Sequence, residues 1–155
     1  MTPEEERREW PGLVGAFLMN FGAAEMSLLQ WIDRLSKDKI VRDIAIDLPL
    51  NKRLALVCDL IKRSDLSKER KDKALSLWGE VSKISITRNI IAHNPFVTHE
   101  NQMGFIDFKK LKGLKDGEKL PINPLTLVDV AKAGSRLSKV LKELIESFGW
   151  NQNKS

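Results

Sequence analysis

Arg88 and His93 stand five positions apart in the run Arg88-Asn89-Ile90-Ile91-Ala92-His93-Asn94-Pro95. The pair joins a fixed cation to a titratable proton carrier. A guanidinium grips a phosphate through parallel hydrogen bonds. Histidine is the side chain whose ordinary pKa allows both acid and base work near neutrality. Together they are the parts that metal-free cleavage of a ribose phosphodiester needs, one to hold the phosphate and one to move a proton. The polar Asn89 beside the arginine could orient either partner.

These residues fall on the last turns of a predicted helix. Ser67 is its N-cap, Ala74, Leu77, Trp78, Val81 and Ile84 recur at helical spacing, and Pro95 forces an end near Asn94. Residues five apart on a regular helix are separated by about 140° around its axis. Arg88 therefore continues the inward stripe, while Ser82, Ile86, Asn89 and His93 form a second, more polar row. A charge on an apolar stripe needs a partner. Glu25 has the same need, four residues after Phe21 and three before Leu28 on the first core helix, so the two are expected to pair at least in part.

Three further helices follow from apolar periodicity. The first spans Pro11 or Gly12 to Leu35 and turns Val14, Phe17, Leu18, Phe21, Leu28, Leu29 and Ile32 inward. After a short apolar piece, Ile40 to Ile46, Pro49 opens a helix with Leu50, Leu54, Val57 and Ile61 on one face and a basic opposite face. The last, starting near Thr126 and Asp129, uses Val128, Ala131, Leu137, Leu141, Leu144, Ile145 and Phe148, and stops at Gly149. Between Phe96 and Pro124 the pattern changes: Phe105-Ile106-Asp107-Phe108 suits a strand, and Gly104, Gly113 and Asp116-Gly117 mark turns. The expected fold is all-α, an up-and-down bundle of four to five helices in a single domain over residues 1–155, with a small β-hairpin inserted at 96–124 before the last helix.

Composition narrows the chemistry. At 155 residues the chain is long enough for one domain with a core. Its apolar runs are broken by Asn20, Glu25 and Gln30, so no membrane span is expected. The acidic start Met1-Thr2-Pro3-Glu4-Glu5-Glu6 lacks the basic and then apolar pattern of a secretory signal, which points to the cytoplasm. A single cysteine, Cys58, rules out an internal disulfide and a thiolate-rich metal site; it reads as a small core hydrophobe. No metal and no cofactor is expected. His99 reads as a solvated turn residue, and Trp31 and Trp78 as packing. The net charge of +5 is compatible with a polyanion as partner. Lys109, Lys110 and Lys112 crowd the hairpin region close to the motif, where they could track an RNA backbone.

Arg88-Asn89-Ile90-Ile91-Ala92-His93 resembles the signature of the HEPN domain family, an arginine, a polar residue and a histidine after four intervening positions. The setting resembles it too, with the motif at the end of a long third helix, a hairpin after it and a closing helix. Glu25 would match an acidic residue common on that family's first helix. The resemblance implies a metal-independent endoribonuclease working as a homodimer, two motifs facing each other across a cleft. In it His93 and Arg88 would be catalytic, Asn89 would orient substrate or histidine, and Glu25 would support. It also implies a toxin or phage-defence role, with RNA as substrate and an antitoxin protein as a partner. The alternative is a non-catalytic module of the same fold that binds a nucleotide, nucleic acid or a partner protein.

Overall fold

The computed structural model describes residues 2–99 and 102–148. Among them are six helices and one hairpin: α1 Pro3–Ser36, α2 Lys39–Ile46, α3 Leu50–Arg63, α4 Lys68–His93, β1 Phe96–His99, β2 Gln102–Phe105, α5 Phe108–Leu111 and α6 Leu127–Phe148. The architecture is the expected all-α bundle with a two-stranded antiparallel hairpin before the last helix.

Helix directions follow from contacts at the ends. Trp31 of α1 meets Trp78 of α4 at 5.8 Å, while Trp10, at the other end of α1, meets Phe96 just beyond α4 at 5.1 Å, so α1 and α4 run antiparallel. Asn20 reaches Ser138 and Trp31 reaches Phe148, which makes α6 parallel to α1. The short α2 returns along α1, Arg42 lying 3.7 Å from Asp33, and delivers the chain to α3. The five longer helices thus alternate up and down. Phe17, Phe21, Leu28 and Ile32 of α1, Val57 and Ile61 of α3, Trp78 and Val81 of α4 and Leu137 of α6 fill the core and are essentially inaccessible.

Several element boundaries differ from those predicted. Helix α1 starts eight or nine residues earlier than expected, because Thr2 and Glu5 form a reciprocal capping box and the helix runs through Pro11. A capped, acidic first turn outweighs the one hydrogen bond that an internal proline removes. The apolar piece 40–46 is a helix in its own right, capped by Asp38, whose side chain accepts from the Ile40 N–H at 2.8 Å. The expected strand at 105–108 is displaced. Phe105 closes β2, Ile106 makes a single bridge to Ile122, and Asp107 caps α5.

In α6 the inward residues are Leu127, Val130, Ala133, Leu137, Val140, Leu144 and Phe148. Val128, Ala131 and Ile145, assigned inward by periodicity, are exposed. Thr126 and Asp129 form the anticipated cap, with an aspartate doing the work of the usual glutamate: Asp129 N–H donates to Thr126 Oγ1 at 3.1 Å, and Thr126 N–H to Asp129 Oδ2 at 2.9 Å. The expected stop at Gly149 lies outside the described residues.

Helix α1, over Glu4–Ser36, is long and apolar enough by length and composition to cross a membrane, which the reading of its polar interruptions did not anticipate. One face packs against α2, α3 and α6 as a bundle's core helix does. Met19 and Met26 on the outer face are 78% and 59% exposed, so among the described residues little covers that face.

Two local features carry predictions. Lys37 ends α1 in the left-handed region at φ 56°, where an L side chain is strained and glycine is at ease. Lys37→Gly should raise the unfolding free energy by about 0.5–1 kcal/mol, measured by denaturant titration. Separately, Glu5 and Glu80 sit below the ordinary 4.5 and Asp129 below the ordinary 3.8. The causes are hydrogen bonds from Thr2 to Glu5, from Lys83 and then Arg136 to Glu80, and from Thr126 to Asp129. A depressed folded value means the unfolded chain binds the proton more tightly. Their contribution to stability is therefore complete above the ordinary carboxylate values and is lost as pH falls through the folded ones. Melting temperature should decline on that acid limb, and Glu80→Gln should flatten it.

Candidate functional site

Helix α4 positions the motif. Its inward stripe, Ala74 through Ile84, anchors the helix in the core, and one turn later the same stripe brings Arg88 against α1. The Arg88 guanidinium lies 3.5 Å from Glu25 Oε1 and remains 31% exposed. Glu25 is shared. Its other oxygen accepts a hydrogen bond from Arg53 Nη2 at 3.2 Å, and the Arg53 side chain, 13% exposed, is the more deeply buried of the two arginines. One carboxylate between two guanidiniums leaves the cluster with a net positive charge. Arg53 Nε is buried and, among the described residues, meets no hydrogen-bond acceptor.

The expected pairing of Glu25 with Arg88 is thus present, and Arg53 is the member that sequence reading missed. It stands beside Lys52 in a strongly basic stretch of sequence. The usable signal was its place three residues after Leu50 and four before Val57, inside the inward stripe of α3.

Asn89 and His93 point elsewhere. Both are exposed, and with Ile86 and Ile90 they form one wall of a groove of about 540 Å³; Asp107, Phe108, Lys109 and Asn123 form the other. Its walls are tied together by Asn94, the C-cap residue of α4. The Asn94 Nδ2 donates to Ile90 O at 2.9 Å, and its Oδ1 accepts from the Phe108 N–H at 3.2 Å. Asn123 is brought alongside by the Ile106 to Ile122 bridge and by its own N–H donating to Phe105 O at 2.7 Å. Gly104 permits this closeness, since a Cβ there would lie 2.6 Å from Ile122 Cγ2.

Arg88 is therefore not in the groove with His93, as the 140° separation requires. The two rows are linked by Arg88 Nη1 donating to Asn89 Oδ1 at 3.4 Å. Of the three lysines singled out, Lys109 lines the groove, Lys110 lies 3.7 Å from Asp107, and Lys112 is the exposed C-cap residue of α5. Lys109 and Lys110 belong to that short helix and not to a loop.

His99 ends β1 and its side chain lies outside the described residues. Cys58 is half-buried beside the core, and burial pushes its thiol pKa up, against the smaller opposing effect of Lys62. This favours packing over nucleophilic chemistry. Among the described residues no three His, Cys, Asp or Glu side chains converge as a metal site. Chemically, then, the arrangement offers an accessible imidazole and a lysine at a groove, and on a neighbouring face a guanidinium held by a shared carboxylate. Set against known proteins, the chain matches no family model, no curated protein and no solved structure.

Proposed function

We propose that this protein is a metal-independent endoribonuclease of the HEPN type, active as a homodimer and serving as a toxin or in phage defence. The observation that carries the reading is the division of labour on α4: His93 is solvent-accessible at the groove, while Arg88 is braced by Glu25 yet keeps part of its guanidinium open. His93 would accept the 2′-hydroxyl proton as the 2′-oxygen attacks phosphorus. The P–O5′ bond then breaks, and an imidazolium returns a proton to the departing 5′-oxygen. Arg88 would stabilise the charge that grows on the phosphate oxygens. Since one chain holds the two groups on different faces, a second copy would supply the Arg88 that works with a given His93. Asn89, tied to Arg88 and facing the groove, would align the substrate, and Lys109, with Lys110 and Lys112 nearby, would follow the RNA backbone. An antitoxin protein would be the natural inhibitor.

The test is incubation with total RNA in excess EDTA. Fragments ending in 2′,3′-cyclic phosphate, with DNA left intact, are expected. Intact RNA from protein freed of any copurifying partner would discard the nuclease.

A second reading is a non-catalytic module of the same fold that binds nucleotide, nucleic acid or protein. The fully paired Glu25 supports it, because a structural ion cluster needs no catalytic purpose. Under that reading the groove binds without cutting.

A further inference from the structure

We propose that the groove beside His93 is a nucleobase subsite selective for keto bases, uracil or guanine. The inference rests on RNA occupying this groove, as in the proposed function, and adds which base it takes.

The argument comes from which ends of the polar side chains are already engaged. Asn94 is used at both ends of its amide. Asn123 Oδ1 accepts from the Leu125 N–H at 3.0 Å, and Asn89 Oδ1 from Arg88. Each of those two amides is therefore pinned by its oxygen, and among the described residues its NH₂ donates to nothing. The Lys109 ammonium adds a third donor. Asp107 is the groove's carboxylate, its Oδ1 accepting from the Lys109 N–H at 3.1 Å and its Oδ2 facing Lys110.

The groove thus offers open donors around one acceptor. A ring carbonyl next to an imino N–H, the feature that uracil and guanine share, complements that pattern; adenine and cytosine present an amino group next to an unprotonated ring nitrogen there. Phe108, 53% exposed at the same groove, supplies the aromatic face on which a base stacks. The volume, about 540 Å³, suits a mononucleotide.

The test is titration of the full chain with UMP, GMP, AMP and CMP, followed by NMR of the asparagine side-chain amides. UMP and GMP should bind roughly tenfold more tightly than AMP and CMP and should shift the Asn89 and Asn123 signals. Asn123→Asp keeps the acceptor for Leu125 and removes the donor. Its added charge weakens all four nucleotides alike, so the keto-to-amino ratio, which should fall towards one, is the quantity to read. Phe108→Leu should weaken all four and leave the ratio unchanged. Equal affinity for the four, no binding at millimolar nucleotide, or shifts confined to another surface would overturn the proposal. Selective binding by a chain that leaves RNA intact keeps the subsite and discards the nuclease. Cleavage by a chain that binds all four nucleotides equally does the reverse.

Discussion

His93→Ala is expected to lower RNA cleavage by about 10²- to 10⁴-fold, the range typical of a lost general acid or base, with little change in stability or RNA affinity. The asymmetry follows from where the side chain sits. His93 is exposed on the last turn of α4 and fills no cavity, so its removal should move the melting temperature by no more than about 1–2 °C. A protonated imidazole near a helix C-terminus does gain from the helix dipole. Stability is therefore best compared at low and at high salt, since salt screens that gain. The loss should fall on kcat and leave KM alone, because the group acts on the proton in flight and not on the bound phosphate. Lys109→Ala should do the opposite, raising KM and shallowing the salt dependence by about one phosphate contact. An unaltered rate in His93→Ala protein would remove His93 from the mechanism, whatever else cleaves the RNA.

The second large effect concerns Glu25. Glu25→Gln leaves Arg53 and Arg88 facing each other across a neutral amide, and should cost about 1.5–3 kcal/mol, a fall in melting temperature of roughly 4–8 °C for a chain of this size. The estimate is kept below that of a fully buried pair because the three side chains are 24%, 13% and 31% exposed. Double-mutant cycles with Arg53→Met and Arg88→Met separate the two interactions. Coupling to Arg53 should exceed coupling to Arg88, since it has the shorter contact and the drier setting. Coupling to Arg88 alone would mean that Arg53 is a bystander. If neither couples, the cluster contributes nothing to stability and the case for a braced arginine falls with it.

Much of the bundle was legible in the sequence, and the reasons differ by element. Helix α4 could be read almost whole because Ala74 to Ile84 repeat with a helical period and Pro95 closes the run. Helix α6 is legible as a helix but not in its inward residues: Val128, Ala131 and Ile145 face out. All three are apolar, and local periodicity cannot say which of two adjacent stripes will meet a neighbour. The strand was misplaced for a related reason: Phe105 and Phe108 look alike in sequence, yet Asp107 between them starts a helix by accepting from the Lys109 N–H.

At the site, Glu25 announced its need for a partner by interrupting an apolar stripe, and Arg88 answered to the same logic. Arg53 did not stand out among the basic residues around it, because such residues are mostly solvated. The groove was not legible at all. It exists only because the Asn94 amide and the Ile106 to Ile122 bridge draw Phe108 and Asn123 to the side of α4, and neither contact has a signature in local sequence.

The parallel placement of α6 beside α1 has a consequence for the order of events during synthesis. Phe17 and Phe21 lie on the first helix of the bundle to be made, yet the helix that covers them, with Leu137 at its centre and Gly134 against the Phe17 ring, is the last of the bundle's helices to be made. Helices α1, α3 and α4 must therefore wait with an uncovered apolar seam while the hairpin is made. The bundle closes only once α6 has left the ribosome, so the nascent chain carries an open apolar seam from the making of α1 until then.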